Sequence, residues 1–184
     1  MKTVVTGFLF SLLAASFDPG GLEYEQEYFK LVISDNGSGE LSVLYKDMGS
    51  KEQRTTLRRK DLDILRDIAM SAKVIDVAME EGVVIVDRRL DFENFRMSAF
   101  VKAKSHAYGK IFNVFTHYKL EIQDKIYITP LNGRVKHAQL SDGGEIVVRN
   151  NKYSFSWPTS VKELAFTAQY RTEGASFNRE LAPK

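Results

Sequence analysis

The chain has 184 residues, 43% hydrophobic and 27% charged, with 12 Gly, 4 Pro and no Cys. That is the length of one domain with enough apolar content for a core, and it excludes collagen, low-complexity disorder and a disulfide scaffold. The absence of cysteine excludes zinc ribbons, iron–sulfur clusters and thiol catalysis, and 26 basic against 24 acidic residues, a net +2, point to no polyanionic partner.

The first residues have the three parts of an export signal. Lys2 is the positive start, Val4 to Ala15 is an uncharged apolar run of 12 residues, and Ala14-Ala15-Ser16 supplies small side chains before a cut. The run is shorter than the about 20 apolar residues that span a bilayer. The expected division is a signal peptide over 1–16 and a single α+β domain over 17–184, located in the periplasm or secreted. The competing reading of the run is a buried N-terminal strand or helix.

Strands in period two come next. Tyr28 to Ile33 puts Phe29, Leu31 and Ile33 on one face, and Glu40 to Lys46 does the same with Leu41, Val43 and Tyr45. Asp35-Asn36-Gly37-Ser38-Gly39 between them predicts a hairpin. Asp61 to Ala72 carries Leu62, Leu65, Ala69 and Ala72 at helical spacing, with Thr55 or Thr56 as its cap. Lys73–Met79 and Val83–Leu90 read as a second hairpin about Glu80-Glu81-Gly82, and Asp91–Phe95 as a helical turn. Further strands are expected at Arg96–Val101, Lys110–Leu120, Lys125–Thr129, Glu145–Val148, Lys152–Trp157 and Leu164–Tyr170. Turns are expected at Asn132-Gly133 and Asn150-Asn151, and a loose tail from about Thr172. The pattern predicts an α+β fold: a mainly antiparallel β-sheet, curved or barrel-like, packed with one main α-helix.

Two features offer binding chemistry. Lys51, Arg54, Arg58, Arg59 and Lys60 place five positive charges in ten residues at the start of the helix. Cations there oppose the helix dipole, which an anionic headgroup would offset; the favoured reading is a solvated loop and first turn balanced by Asp61, Asp63 and Asp67. Tyr153, Phe155 and Trp157 alternate with Ser154 and Ser156. Such a row lines a cavity or stacks on sugar rings, or it is the inward face of a half-buried strand.

Catalytic patterns are absent. His106, His117 and His137 have no metal-ligand spacing, so no metal or cofactor is expected. There is no G-x-S-x-G, GxxxxGK or GxGxxG. Asp35 to Glu40 lacks the spacing of a calcium loop, and Asp87, Asp91 and Glu93 select no catalytic pair.

The order of features resembles the LppM-type domain of bacterial exported proteins. The matching pieces are Phe29 to Ser34, Gly37-Ser38-Gly39-Glu40, the helix Asp61 to Ala72, Asp91-Phe92-Glu93-Asn94-Phe95 and Phe155-Ser156-Trp157. They extend over most of the mature chain. This sequence departs from the family in having no lipobox Cys and no C-terminal membrane helix. The resemblance implies a β-rich domain with a helix and a binding role toward envelope lipids or glycolipids, and it carries over no catalytic residue.

The expected function is a non-enzymatic binding module for a lipid, glycolipid or other envelope component, with peripheral membrane contact and no nucleic acid. The ligand would sit between helix and sheet, lined by Tyr118, Tyr153, Phe155 and Trp157, with Arg58, Arg59 and Lys60 at the rim. The alternative is a protein-interaction or assembly subunit of the envelope that accepts an envelope protein on an exposed strand edge. A hydrolase built on Asp91, Glu93 or His117 ranks last.

Overall fold

The computed structural model describes residues 22–93, 96–115, 117–131, 134–149, 151–172 and 175–176. The expected signal segment lies outside these residues, as do Asn94, Phe95, the Asn132-Gly133 turn and Asn150.

β1 (Leu22–Ile33) and β2 (Gly39–Ser50) form the predicted hairpin, with Phe29 opposite Val43 and Leu31 opposite Leu41. Gly37 turns it at φ 82°, a left-handed conformation that favours glycine. Helix α1 (Thr55–Met70) begins six residues before the expected start. It is followed by α2 (Ala72–Glu80), where the sequence pattern predicted a strand. The β-branched run in Val74-Ile75-Asp76-Val77 mimics a strand, yet Val74, Val77 and Ala78 share a helical face, and Ala78 is fully buried. Packing outweighed local propensity there. Glu80-Glu81-Gly82 is therefore a helix-to-strand turn, with Gly82 at φ 74°, and not a hairpin.

β3 (Val83–Glu93) runs on through Asp91, where a helical turn was expected, and pairs with β4 (Arg96–Ser105). Lys110–Leu120 splits: α3 (Tyr108–Val114) is helical, and β5 (Tyr118–Ile122) starts after it. Ile111, Phe112 and Phe115 are buried, and their spacing is helical as well as apolar. Next come β6 (Lys125–Pro130), β7 (Arg134–Leu140), β8 (Glu145–Arg149), β9 (Lys152–Pro158) and β10 (Glu163–Arg171). β7 escaped the sequence reading because it is an edge strand with weak alternation. A short β11 (Ala175–Ser176) pairs with the end of β2, so part of the expected loose tail is ordered on the sheet.

The strands form two antiparallel sheets. The large one has the order β3-β4-β2-β1-β10-β7 with β11 beside β2, and the small one has the order β5-β6-β9-β8. Three helices accompany them, not one, and neither sheet closes into a barrel among the described residues. Odd positions of β1 and β2 and even positions of β10 face inward. They bring Phe29, Leu31, Leu41, Val43, Leu164 and Phe166 against Ile126, Ile128, Phe155 and Trp157 of the small sheet. A second cluster, Met48, Leu62, Leu65 and Met97, lies where α1 covers the end of the large sheet.

Candidate functional site

The residues expected to line one site separate between these two clusters. Phe155 and Trp157 are fully buried in the first, and Phe155 packs on Phe166 with ring centroids 4.4 Å apart. Tyr118 is also buried, edge-on to Phe29 at 5.0 Å. These rings fill the interior between the sheets. Tyr153, at the open end of the same strand, is 48% exposed.

The basic run lies before and in the first turns of α1, away from these rings. Arg58 is buried and donates from Nη1 to the Ser50 carbonyl at 3.3 Å. The Ser50 hydroxyl donates to Asp61, also buried, so Arg58 and Asp61 both anchor α1 to the end of β2. Arg59 and Lys60 are exposed on the helix. The expected headgroup rim and aromatic wall therefore do not meet: α1 covers one end of the large sheet, and the second sheet, which the sequence did not reveal, covers the middle.

The acids and histidine of the hydrolase reading are likewise apart. Asp91 lies on β3 and accepts from Arg89 Nε at 3.1 Å, while His117 is in the interior against Tyr45 and Tyr118. Among the described residues, no group of His, Asp and Glu is placed to hold a metal ion.

The outer face of the large sheet has a more organised surface. Register places Arg89, Phe100, Leu44, Tyr28, Thr167 and Gln139 side by side, one from each strand from β3 to β7. Phe100, Leu44 and Tyr28 make an apolar stripe in the middle of this row. On one side lies the row Lys102, Ser42, Lys30 and Ala165. On the other lies Ser98, Lys46, Gln26, Gln169 and His137. A concavity of about 430 Å³ opens over the stripe, lined by Tyr28, Lys30, Ser42, Leu44, Phe100 and Thr167, among others.

No family model matches the chain, and no curated protein or solved structure matches it.

What this face can hold follows from its side chains. Lys46 Nζ stands 5.0 Å from the Tyr28 ring centre, and the Arg89 guanidinium 4.9 Å from that of Phe100, so both rings of the stripe carry a cation. Lys30 pairs with Glu163 at 2.9 Å. Lys102 and Lys104 both reach Glu40, at 2.7 and 2.9 Å, and their hydrogen bonds hold its carboxyl below the usual range. Tyr28 donates its hydroxyl to Gln26 Oε1 at 3.2 Å. The surface thus joins an apolar floor to cationic groups from β1 to β4 and to amides and hydroxyls from β1, β10 and β7.

Sequence reasoning missed this face although its signal was present. Tyr28 and Lys30, Ser42 and Leu44 are the alternate positions of the hairpin strands, opposite in phase to Phe29, Leu31, Leu41 and Val43. Only strand order could show that Phe100 stands beside Leu44.

Proposed function

We propose that this protein is an exported, non-enzymatic binding module that holds a lipid, glycolipid or related amphiphile of the cell envelope on the outer face of its large sheet. The observation that carries this reading is the transverse row Phe100–Leu44–Tyr28, a half-buried apolar stripe set in a concavity and bordered by Lys30, Lys46 and Lys102. Ligand sites commonly combine an apolar floor with a few polar groups that fix orientation. The acyl or ring portion of the ligand lies on the stripe. Its headgroup meets the lysines, or the amides of Gln26 and Gln169. The likeness of the chain's features to LppM-type domains supports the same class of ligand.

Titration of the ¹⁵N-labelled protein with lysophosphatidylglycerol and lysophosphatidylcholine tests the reading. Backbone shifts are expected at Tyr28, Leu44 and Phe100, with tighter binding of the anionic lipid. The double variant Leu44→Ser/Phe100→Ser should bind at least tenfold more weakly. Absence of shifts with either lipid, or shifts confined to other faces, would overturn it.

A second reading has one specific observation in its favour. β8 is an edge strand, and Val148 (67% exposed) and Tyr153 face each other across its pairing with β9. An assembly subunit would add a partner strand at such an edge. Shifts confined to β8 on adding an envelope extract would favour it.

A further inference from the structure

Directly behind the groove lies a polar seam. Tyr28 and Leu44 face each other on the outer side of the β1–β2 pair, and the next pair in register, Glu27 and Tyr45, faces inward. Glu27 is fully buried. It shares the inward face with Phe29, Leu31 and Ile33, where a carboxylate is costly without a cation.

The groups facing it are tyrosines and one histidine. Tyr170 on β10 donates its hydroxyl to Glu27 Oε2. Tyr24 on β1 packs against Tyr45 and Tyr170, with ring centroids 4.6 and 5.0 Å away. Tyr45 on β2 in turn hydrogen-bonds His117 Nε2 and lies 3.3 Å from the Tyr118 hydroxyl at the start of β5. Helix α1 contributes Leu62 and Leu65 to the adjoining cluster, and its buried Arg58 and Asp61 are engaged at Ser50. Lys46, next to Tyr45 in sequence, stands over Tyr28 on the opposite face of the sheet. Glu27 makes no ion pair among the described residues. Glu27 Oε1 and the Tyr24 hydroxyl are both buried without a hydrogen-bond partner.

Two buried polar atoms left without partners cost stability, and each regains a partner when water enters. Tyr45, which packs on Tyr24, joins the large sheet to the small one through its contacts with His117 and Tyr118. We infer that Glu27 is a proton-held latch: neutral, it lets the seam close, and ionised, it parts the Tyr45–His117 and Tyr45–Tyr118 contacts and admits water between the sheets.

The titration order fits this arrangement. Burial pushes the Glu27 carboxyl up to about 8, against the opposing hydrogen bond from Tyr170. Burial also raises Tyr24, Tyr45 and Tyr170 above the ordinary phenol value and holds the His117 imidazole down to about 3. Between neutral and mildly alkaline pH, Glu27 is therefore the member of the seam that changes charge. The proton goes to solvent, and the carboxylate gains water in its place.

Hydrogen–deuterium exchange of the full chain at about pH 6 and about pH 9, corrected for intrinsic base catalysis, tests the latch. The expected result is at least a tenfold loss of protection across Tyr118–Leu120 at the higher pH. The same amides in Glu27→Gln, which keeps the shape without the charge, should be unchanged. Equal protection of the unaltered protein at both pH values would overturn the inference, as would the same loss in Glu27→Gln. Should that variant fail to fold, the ¹³C resonance of the Glu27 carboxyl in the unaltered chain decides. A midpoint of about 8 supports the latch, and one in the ordinary carboxylate range overturns it.

Discussion

Trp157 donates its indole N–H to Ser141 Oγ at 3.1 Å, and this bond ties the small sheet to the turn that leaves the large one. The same oxygen accepts the Ala165 amide at 3.0 Å. Ser141→Ala therefore leaves the buried indole and one backbone donor unpaired. The expected cost is about 1–3 kcal/mol in a urea melt, the range for an unsatisfied buried group. Trp157→Phe should lose less than the sum of its packing and this bond, because the donor leaves with the ring.

Gly144 lies under the same bond. A Cβ there would come within 2.7 Å of both Leu140 Cβ and Trp157 Nε1, and within 2.9 Å of the Ser141 carbonyl. Gly144→Ala must push the turn away from Trp157. A loss of about 1–3 kcal/mol, as for overpacking, and a red-shifted tryptophan emission are expected.

Glu27 and His117 give opposite pH dependences. The folded protein keeps a proton on Glu27 from 4.5 up to about 8 that the unfolded chain has lost, so stability falls as pH rises through that window and then levels off. His117 is lowered from 6.5 to about 3, so the stability it contributes is lost as pH falls through that window. Each slope is at most about 1.4 kcal/mol per pH unit. The two oppose each other between 4.5 and 6.5, where a broad stability maximum is expected. Denaturation across pH should show Glu27→Gln losing the alkaline limb and keeping the acid one.

The basic run divides into one structural residue and two surface ones. Arg58→Ala removes the donor to the Ser50 carbonyl and leaves Asp61 beside an altered anchor. Thermal melts should show a loss of about 1–3 kcal/mol. Arg59→Ala and Lys60→Ala, exposed on α1, should change stability by less than about 0.5 kcal/mol.

Opposite faces of β2 should behave differently. Leu44→Ser, on the outer stripe, is expected to cost under about 1 kcal/mol while weakening amphiphile binding. Val43→Ala is fully buried on the inner face, and its loss of side-chain volume should cost about 1–3 kcal/mol with binding retained. Melts paired with lipid titrations check both at once.

Much of the architecture was legible. The β1–β2 hairpin, with Phe29, Leu31, Leu41 and Val43 inward, followed from period two and the Gly37 turn. Leu62 and Leu65 marked the apolar stripe of α1 correctly. Val74–Val77 and Ile111–Phe115 misled because short β-branched and aromatic runs satisfy helical and strand periods alike. The candidate site was less legible. Phe155 and Trp157 were rightly placed on one face, but whether a row of rings lines a cavity or fills a core depends on what packs against it. Glu27 carried a readable signal, since it falls in phase with Phe29, Leu31 and Ile33. A lone acid at a strand end nonetheless reads as solvent-facing until burial is known.

The fold class, most strands and the inward face of the first hairpin can be read from the order of residues alone. These depend on backbone periodicity and turn chemistry, which act over a few neighbouring residues. The two sheets, the placing of Phe100 beside Leu44 and Tyr28, and the burial of Glu27 under a hydrogen bond from Tyr170 emerge only in the folded chain. Those relationships join residues far apart in the chain. Strand order and the covering layer create them, and neither is encoded in the period of any single strand.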